Sequence, residues 1–167
     1  YSSEYFSKEI GFEGWKNFDN ELWEKIRDIS LEKEKEYYGV VSGADNFQKS
    51  LRACRSNINN ALMRDEIKVK MEDFFESTVE QGTHVVFNPP YGERLTIGIN
   101  EFYQKIGDTL KHNYQGCSVW LISSDIENLK MIGLKPSKKI KVYNGKLECR
   151  FLRFDIYEGS KKASKQI

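Results

Sequence analysis

Apolar residues recur every three or four positions in three stretches of the chain, and this spacing predicts helices. The predicted helices run from about residues 20–36, 46–64 and 100–113, and Asp19 precedes the first as its predicted N-cap. Short runs rich in β-branched residues lie between the helices and predict strands at residues 37–43, 67–71, 83–88 and 117–124. Strands that alternate with helices are typical of a parallel sheet covered by helices.

The last part of the chain breaks this alternation. After a short predicted helix at residues 126–131, the segment KKIKVYNGKLECRFLRFDIYE predicts two strands. They meet at Asn144-Gly145, a dipeptide that favours the left-handed turn of a tight hairpin. The predicted fold class is therefore α/β, a mostly parallel sheet with an antiparallel C-terminal hairpin. We expect one domain over residues 1–158, followed by a basic disordered tail at residues 159–167.

Composition narrows the class of protein. The chain has 167 residues, of which 39% are hydrophobic and 13% aromatic, which is enough for one sizeable core and excludes disorder for most of it. The longest apolar runs, such as residues 119–122, are too short to span a bilayer. The three cysteines have neither a CxxC pair nor zinc-ligand spacing, so neither a disulfide framework nor a metal site is indicated. We expect a cytoplasmic protein with no membrane partner.

Charge is distributed unevenly along the chain, although the net charge is only +1. Residues 1–36 contain 6 basic and 10 acidic side chains, whereas residues 130–167 contain 11 basic and 3 acidic ones. This basic end suits a phosphate-bearing partner, and it suits a solvated lysine-rich edge strand equally well. Its candidate residues are Lys135, Lys138, Lys139, Lys141, Lys146, Arg150, Arg153 and Lys161.

The sharpest motif is Asn88-Pro89-Pro90-Tyr91, which directly follows the apolar run Val85-Val86-Phe87. Two prolines fix the backbone and remove two donors, so the loop leaving this strand is rigid and presents acceptors. The Asn88 carboxamide oxygen and the Pro89 carbonyl can accept both hydrogens of a planar amine, while the Tyr91 ring offers a stacking face. The motif therefore predicts a binding site for the exocyclic amine of a base. A purely structural turn at the strand end is the alternative.

This motif resembles that of the S-adenosylmethionine-dependent methyltransferases that modify amines of adenine, guanine or glutamine. The longer string NPPYGERL is similar to the THUMP-domain ribosomal RNA guanine methyltransferases, whose members are often named adenine-specific DNA methylases. The resemblance covers most of the chain, through FEGWKNFDNELWEKI, SGADNFQKSLRACRSNINNA and KPSKKIKVYNGKLECRF. It implies a class I, Rossmann-like methyltransferase sheet, the cofactor S-adenosylmethionine and a guanine of large-subunit ribosomal RNA as substrate. It also implies catalytic roles for Asn88, Pro89, Pro90 and Tyr91.

The resemblance also assigns cofactor-binding residues in two further loops. Asp45 ends the first predicted strand, where a carboxylate can accept hydrogen bonds from ribose hydroxyls, although an ordinary helix N-cap has the same sequence. In this family an acid and an apolar residue after the next strand hold the adenine, which implies Asp73 and Phe74. The EDFFE segment that contains them is equally compatible with a capped helix start. Phe47 departs from the family pattern, since a second acid is usual at that position.

One departure concerns the methionine part of the cofactor. The family binds it with a glycine-rich loop after the first, central strand, and no D/E-x-x-x-G-x-G pattern occurs in the 167 residues. We therefore expect a C-terminal fragment that lacks its first strand and the THUMP domain. Such a sheet has two unpaired edges, which a second copy of the chain could cover in a dimer. Negligible activity is expected from these residues alone.

Two other functions stay open. The same tetrapeptide serves adenine-specific DNA methyltransferases, with DNA as the substrate. Alternatively, the chain is a non-catalytic RNA-binding module that docks through its basic C-terminal hairpin. His84 and His112 are isolated and are interpreted as structural, and Arg94 is suited either to a substrate phosphate or to anchoring its own loop.

Overall fold

The computed structural model describes residues 11–90 and 98–158. The predicted tail at residues 159–167 lies outside the described residues, as do Tyr91, Glu93 and Arg94. The chain forms two compact units, Tyr1–Phe74 and Phe75–Ile167.

The first unit contains a two-stranded parallel sheet and two helices. A 3-10 turn at Gly11–Gly14 precedes helix α1 (Asn20–Glu32), strand β1 (Val41–Asp45), helix α2 (Gln48–Asn60) and strand β2 (Ile67–Met71). Asp19 caps α1 as predicted, because its Oδ1 accepts a hydrogen bond of 2.9 Å from the Leu22 N–H. In the sheet, Val41 lies opposite Ile67 and Asp45 opposite Met71. The two strands therefore end at the same edge.

The second unit contains a four-stranded mixed sheet. Its elements are β3 (His84–Phe87), α3 (Ile99–Asn113), β4 (Ser118–Ser123), a 3-10 helix (Asn128–Ile132), β5 (Lys138–Asn144) and β6 (Leu147–Asp155). The strand order is β3-β4-β6-β5, in which β3 and β4 are parallel and the other pairs antiparallel. The predicted hairpin is confirmed. Gly145 has a φ of 61° at the first central position of its turn, where a side chain would be strained.

The core of the second unit lies between α3 and one face of this sheet. Helix α3 buries Phe102, Tyr103, Ile106 and Leu110, and the sheet buries Val119, Leu121, Leu152 and Phe154. The 3-10 helix packs closely against α3 at Gly107, where an added Cβ would lie 1.8 Å from the Ile132 carbonyl oxygen. A side chain at this position would force the two backbones apart, so glycine is required there.

The predicted strands form two sheets rather than one. Among the described residues, no ladder joins the β1-β2 pair to the sheet that β3 begins. Consequently β1 and β3 each have an edge without a partner strand in the described part of the chain.

Candidate functional site

The Asn88-Pro89-Pro90 segment leaves the carboxyl end of β3 as an irregular loop. Asn88 is exposed, whereas Pro89 is buried. The buried ring anchors the corner, and the fixed φ of both prolines limits how far it can bend. The asparagine side chain therefore lies at the surface next to a rigid, buried proline.

Strand β4 lies beside β3 and ends in a polar loop that the sequence analysis missed. Phe87 lies opposite Leu121, so the residues that follow them leave the same edge of the sheet. The buried Ser123 hydroxyl bonds the Tyr103 hydroxyl at 2.9 Å and accepts from the Asp125 N–H at 3.0 Å. Asp125 Oδ1 accepts from the Asn128 side chain at 2.8 Å. These bonds hold the β4 loop in place beside the Asn88 corner.

A polar residue directly after an apolar strand is the signal that identifies this loop. The segment Ser123-Ser124-Asp125 follows the run at residues 119–122 in the sequence. Loops at the carboxyl ends of neighbouring parallel strands line the ligand crevice of α/β sheets. The same reasoning that selected Asn88 therefore applies to Asp125. Its hydrogen bonds to Ser123 and Asn128 fix the conformation of the loop after β4.

In the first unit, Asp45 is the last residue of β1. Its Oδ1 accepts a hydrogen bond of 2.7 Å from the Phe47 N–H, which bends the chain between β1 and α2. The N-cap of α2 is Phe47, so Asp45 precedes the cap and is not itself the N-cap. Its carboxylate is fixed at the carboxyl edge of the sheet, the position at which the resemblance predicts a ribose contact.

Asp73 and Phe74 lie at the same edge as Asp45. The Glu72 N–H donates to the Asp45 carbonyl at 3.2 Å, so the loop after β2 is hydrogen-bonded to the end of β1. Residues 74–76 form a turn, which excludes the alternative of a helix start in this segment. Asp45, Asp73 and Phe74 therefore lie at or just after the ends of two paired strands, and their role in holding the cofactor stays a prediction.

The predicted catalytic and cofactor-binding residues fall in different units. Asp45, Asp73 and Phe74 belong to Tyr1–Phe74, whereas Asn88, Pro89 and Pro90 belong to Phe75–Ile167. Each set lies where parallel strands end in its own unit. Tyr91, predicted to stack on the base, lies outside the described residues.

Several basic side chains of the C-terminal hairpin are neutralised by acidic partners. Glu148 pairs with both Lys141 and Arg150, at 2.5 and 2.6 Å, and Arg153 pairs with Asp155 at 2.7 Å. The hydrogen bond from Lys141 is the main cause that lowers the pKa of Glu148. The hairpin therefore presents less uncompensated charge than the sequence suggests. This weakens the case for a module that docks RNA by the hairpin alone.

Asp155 is held ionised by its neighbours. Burial is the largest influence on it and raises its pKa, but hydrogen bonds from Ser137, Arg153 and Ser118, together with the charge of Arg153, outweigh burial. The pKa of Asp155 therefore lies below its ordinary value. Because Ser118 begins β4 and Asp155 ends β6, this network fastens the two central strands of the sheet.

The fold defines the class of the protein, a class I methyltransferase domain. The crystal structure of SMU.472 complexed with SAH aligns with a TM-score of 0.73 at 26% identity, covering 93% of this chain and 42% of that chain. A possible methylase from Clostridium difficile 630 aligns with a TM-score of 0.74 at 25% identity, covering 93% and 42%. The predicted fold class is thereby confirmed.

The family follows from a match to a family model. The model described as UPF0020, RMKL-like, methyltransferase domain matches residues 8–153, and the chain belongs to this family. This confirms the resemblance stated from the sequence and the predicted enzyme class, a methyltransferase. In the described part of the chain, none of the helices combines the length and apolar character needed to cross a membrane.

Two curated relatives carry the same name, ribosomal RNA large subunit methyltransferase K/L. The one from Marinomonas sp. (strain MWYL1) is 30% identical over 161 residues, which cover 91% of this chain and 22% of the relative. The one from Syntrophotalea carbinolica is 32% identical over 159 residues, which cover 89% and 22%. The chain thus spans about a fifth of the length of these relatives.

Proposed function

We propose that this chain is the catalytic portion of an S-adenosylmethionine-dependent methyltransferase that modifies the exocyclic amine of a guanine in large-subunit ribosomal RNA. The observation that carries the proposal is the corner after β3, where an exposed Asn88 is mounted on a buried Pro89. The family of the chain and the names of its curated relatives support methyl transfer to ribosomal RNA.

Asn88 and Pro89 activate the amine by holding it. A guanine amine is a poor nucleophile because its lone pair is delocalised into the ring. When the Asn88 Oδ1 and the Pro89 carbonyl oxygen accept its two hydrogens, electron density is drawn toward nitrogen and the lone pair is directed away from the two acceptors. The bound cofactor supplies a methyl group that is electrophilic because a positively charged sulfur carries it. The contribution of the protein is positioning and electrostatic stabilisation, and the methylated amine returns to neutrality by releasing one proton to solvent.

Asp45, Asp73 and Phe74 suit the adenosine part of S-adenosylmethionine. The Asp45 carboxylate is fixed by the Phe47 N–H and can accept from ribose hydroxyls, since carboxylates at this position do so in nucleotide-binding α/β folds. Asp73 would accept from the adenine amine, and Phe74 would pack against the ring. Nothing in the 167 residues has the glycine-rich pattern that holds the methionine part. We therefore expect negligible methyl transfer from these 167 residues alone.

The substrate base must be unpaired or flipped out of its helix before it reaches such a corner. A base that pairs through its Watson–Crick edge cannot offer both amine hydrogens to Asn88 and Pro89. Stacking on an aromatic ring compensates for roughly 1–3 kcal/mol of lost base stacking. Tyr91 is the residue proposed for that contact, as it directly follows the prolines in sequence.

The experiment that tests this function is methyl incorporation by the full-length protein. Cofactor labelled in its methyl group is supplied with ribosomal RNA from cells that lack the enzyme, or with plasmid DNA. The proposal predicts label in large-subunit RNA, recovered as a guanine methylated on its exocyclic amine. Label in DNA adenine would favour the alternative DNA methyltransferase, and no label in either would favour an RNA-binding module.

A further inference from the structure

A concave site lies in the first unit, at the opposite end of β2 from Asp73. It is a cavity of about 230 Å³ between the C-terminal half of α2 and the beginning of β2. At about 3.3 Å per residue, the five residues of β2 separate its two ends by about 13 Å. The cavity is therefore distinct from the edge that carries Asp45 and Asp73.

Three cationic side chains line this cavity, namely Arg55 from α2, Arg64 from the following turn and Lys68 from β2. The residues that line it include no acidic side chain. Within residues 11–90 and 98–158, no carboxylate pairs with any of the three. Lys70 on the same strand is different, since Glu72 pairs with it at 2.9 Å. The cavity thus brings together three cations for which the described part of the chain supplies no carboxylate partner.

The other residues that line the cavity strengthen the electrostatic attraction for an anion and add a hydrogen-bond donor. Ile58 is 8% exposed, and Ile67 and Val69 are half-buried, so part of the lining is apolar and has a low dielectric. The Asn59 carboxamide also lines the cavity and can donate two hydrogen bonds. Lys68 Nζ donates to the Arg64 carbonyl at 2.9 Å, which holds the ammonium group at the cavity.

The chemistry of this lining matches a phosphate group. Guanidinium groups present forked donors that fit phosphate oxygens, and an ammonium group adds a point charge. No aromatic side chain lines the cavity, so it offers no surface on which a base would stack. These features favour a contact to the backbone of a nucleic acid, which adds affinity without reading sequence.

We propose that Arg55, Arg64 and Lys68 bind a backbone phosphate of the RNA strand, at a site separate from the one that holds the reacting base. The inference rests on the proposed RNA substrate. The contact anchors RNA to the first unit, and removal of the cavity cations weakens binding whatever the sequence of the RNA.

Binding of a labelled single-stranded RNA oligonucleotide to the full-length protein, measured by fluorescence anisotropy over a series of KCl concentrations, tests the assignment. The test variant is Arg64→Gln/Lys68→Gln, and the control is Lys49→Gln/Arg52→Gln, which removes the same charge from exposed positions of α2 outside the cavity. We expect the affinity of the test variant to fall several-fold further than that of the control. The slope of log K against log salt should become shallower by about 0.7 for each phosphate that the variant no longer neutralises.

A charge-retaining variant separates recognition from folding. Arg64→Lys/Lys68→Arg should keep most of the RNA affinity, and the urea midpoints of all variants should match that of the wild type. Equal decreases in the test and control variants would overturn the assignment, because diffuse charge would then explain binding. Inorganic phosphate that raises the thermal midpoint of the wild type, with RNA affinity unchanged by the cavity substitutions, would reassign the cavity to a free anion. A wild type that binds no RNA would instead refute the proposed RNA substrate, and the cavity assignment with it.

Discussion

Replacement of Gly107 by alanine tests how tightly α3 packs against the 3-10 helix at Asn128–Ile132. The added Cβ would lie 1.8 Å from the Ile132 carbonyl oxygen, whereas an ordinary contact begins at 3.4 Å, so the backbones must separate by about 1.6 Å. The atom in the way belongs to the backbone, and no side-chain rotation can relieve the overlap. Movement of the 3-10 helix would in turn disturb Leu129 and Ile132, which are 7% and 1% exposed.

The expected cost follows from two opposing effects. Overpacking of a core costs about 1–3 kcal/mol, and an overlap of this depth lies at the upper end of that range. In the opposite direction, the higher helix propensity of alanine raises the free energy of unfolding by about 1 kcal/mol. The free energy of unfolding should therefore fall by about 2 kcal/mol, which moves the urea midpoint down by about 1 M when m is about 2 kcal/mol/M.

Urea denaturation followed by circular dichroism measures this change. Gln104→Ala is the matched control, because Gln104 is exposed on the same helix and its replacement should alter stability by no more than about 0.5 kcal/mol. If Gly107→Ala unfolds at the wild-type midpoint or above it, helix propensity dominates and the close approach of Ile132 to α3 is refuted.

Two further predictions concern polar groups of the second unit. Tyr103→Phe removes the hydroxyl that bonds Ser123 at 2.9 Å in the core and should lower stability by about 1 kcal/mol. Tyr143→Phe removes a hydroxyl that interacts with Lys141 at a position 62% exposed, and it should alter stability by no more than about 0.5 kcal/mol. Because the pKa of Asp155 is lower in the folded state than in the unfolded chain, the ionised carboxylate stabilises the fold above its unfolded pKa of about 3.9, and this stabilisation is lost as the pH falls through the folded value. Asp155→Asn should therefore reduce the fall of the urea midpoint as the pH is lowered. If the urea midpoint of the variant falls as steeply with pH as that of the wild type, the ionised Asp155 carboxylate does not stabilise the fold.

Local features of the fold were predictable from the sequence. Strand β2 occupies residues 67–71 as predicted, since alternating residues and flanking polar segments define it within a few positions. Strand β1 begins at Val41 rather than at residue 37, because its partner has only five residues and earlier residues have no ladder to join. Helix α2 begins at Gln48 because the Asp45 carboxylate bonds the Phe47 N–H and keeps this part of the chain in a turn.

Features that depend on distant residues were not predictable from the sequence. The requirement for glycine at position 107 comes from Ile132, 25 residues away in the chain, and no local pattern signals it. The cationic cavity combines Arg55 with Lys68 from a different element, so it is recognisable only once α2 and β2 are packed. The candidate site was predictable in part, because the Asn88 corner is a contiguous motif, and the ribose role of Asp45 stays a prediction.

The most direct test of the central claim is methyl transfer by the full-length protein with Asn88→Ala, measured beside its cofactor affinity. Asn60→Ala, at an exposed position that ends α2, is the control. The account predicts that removal of the amine acceptor lowers turnover roughly a hundredfold or more. Calorimetry should find cofactor affinity nearly unchanged, because Asn88 is assigned to the base and not to the cofactor. Turnover that persists in Asn88→Ala at the level of the control would contradict the proposed role of the corner.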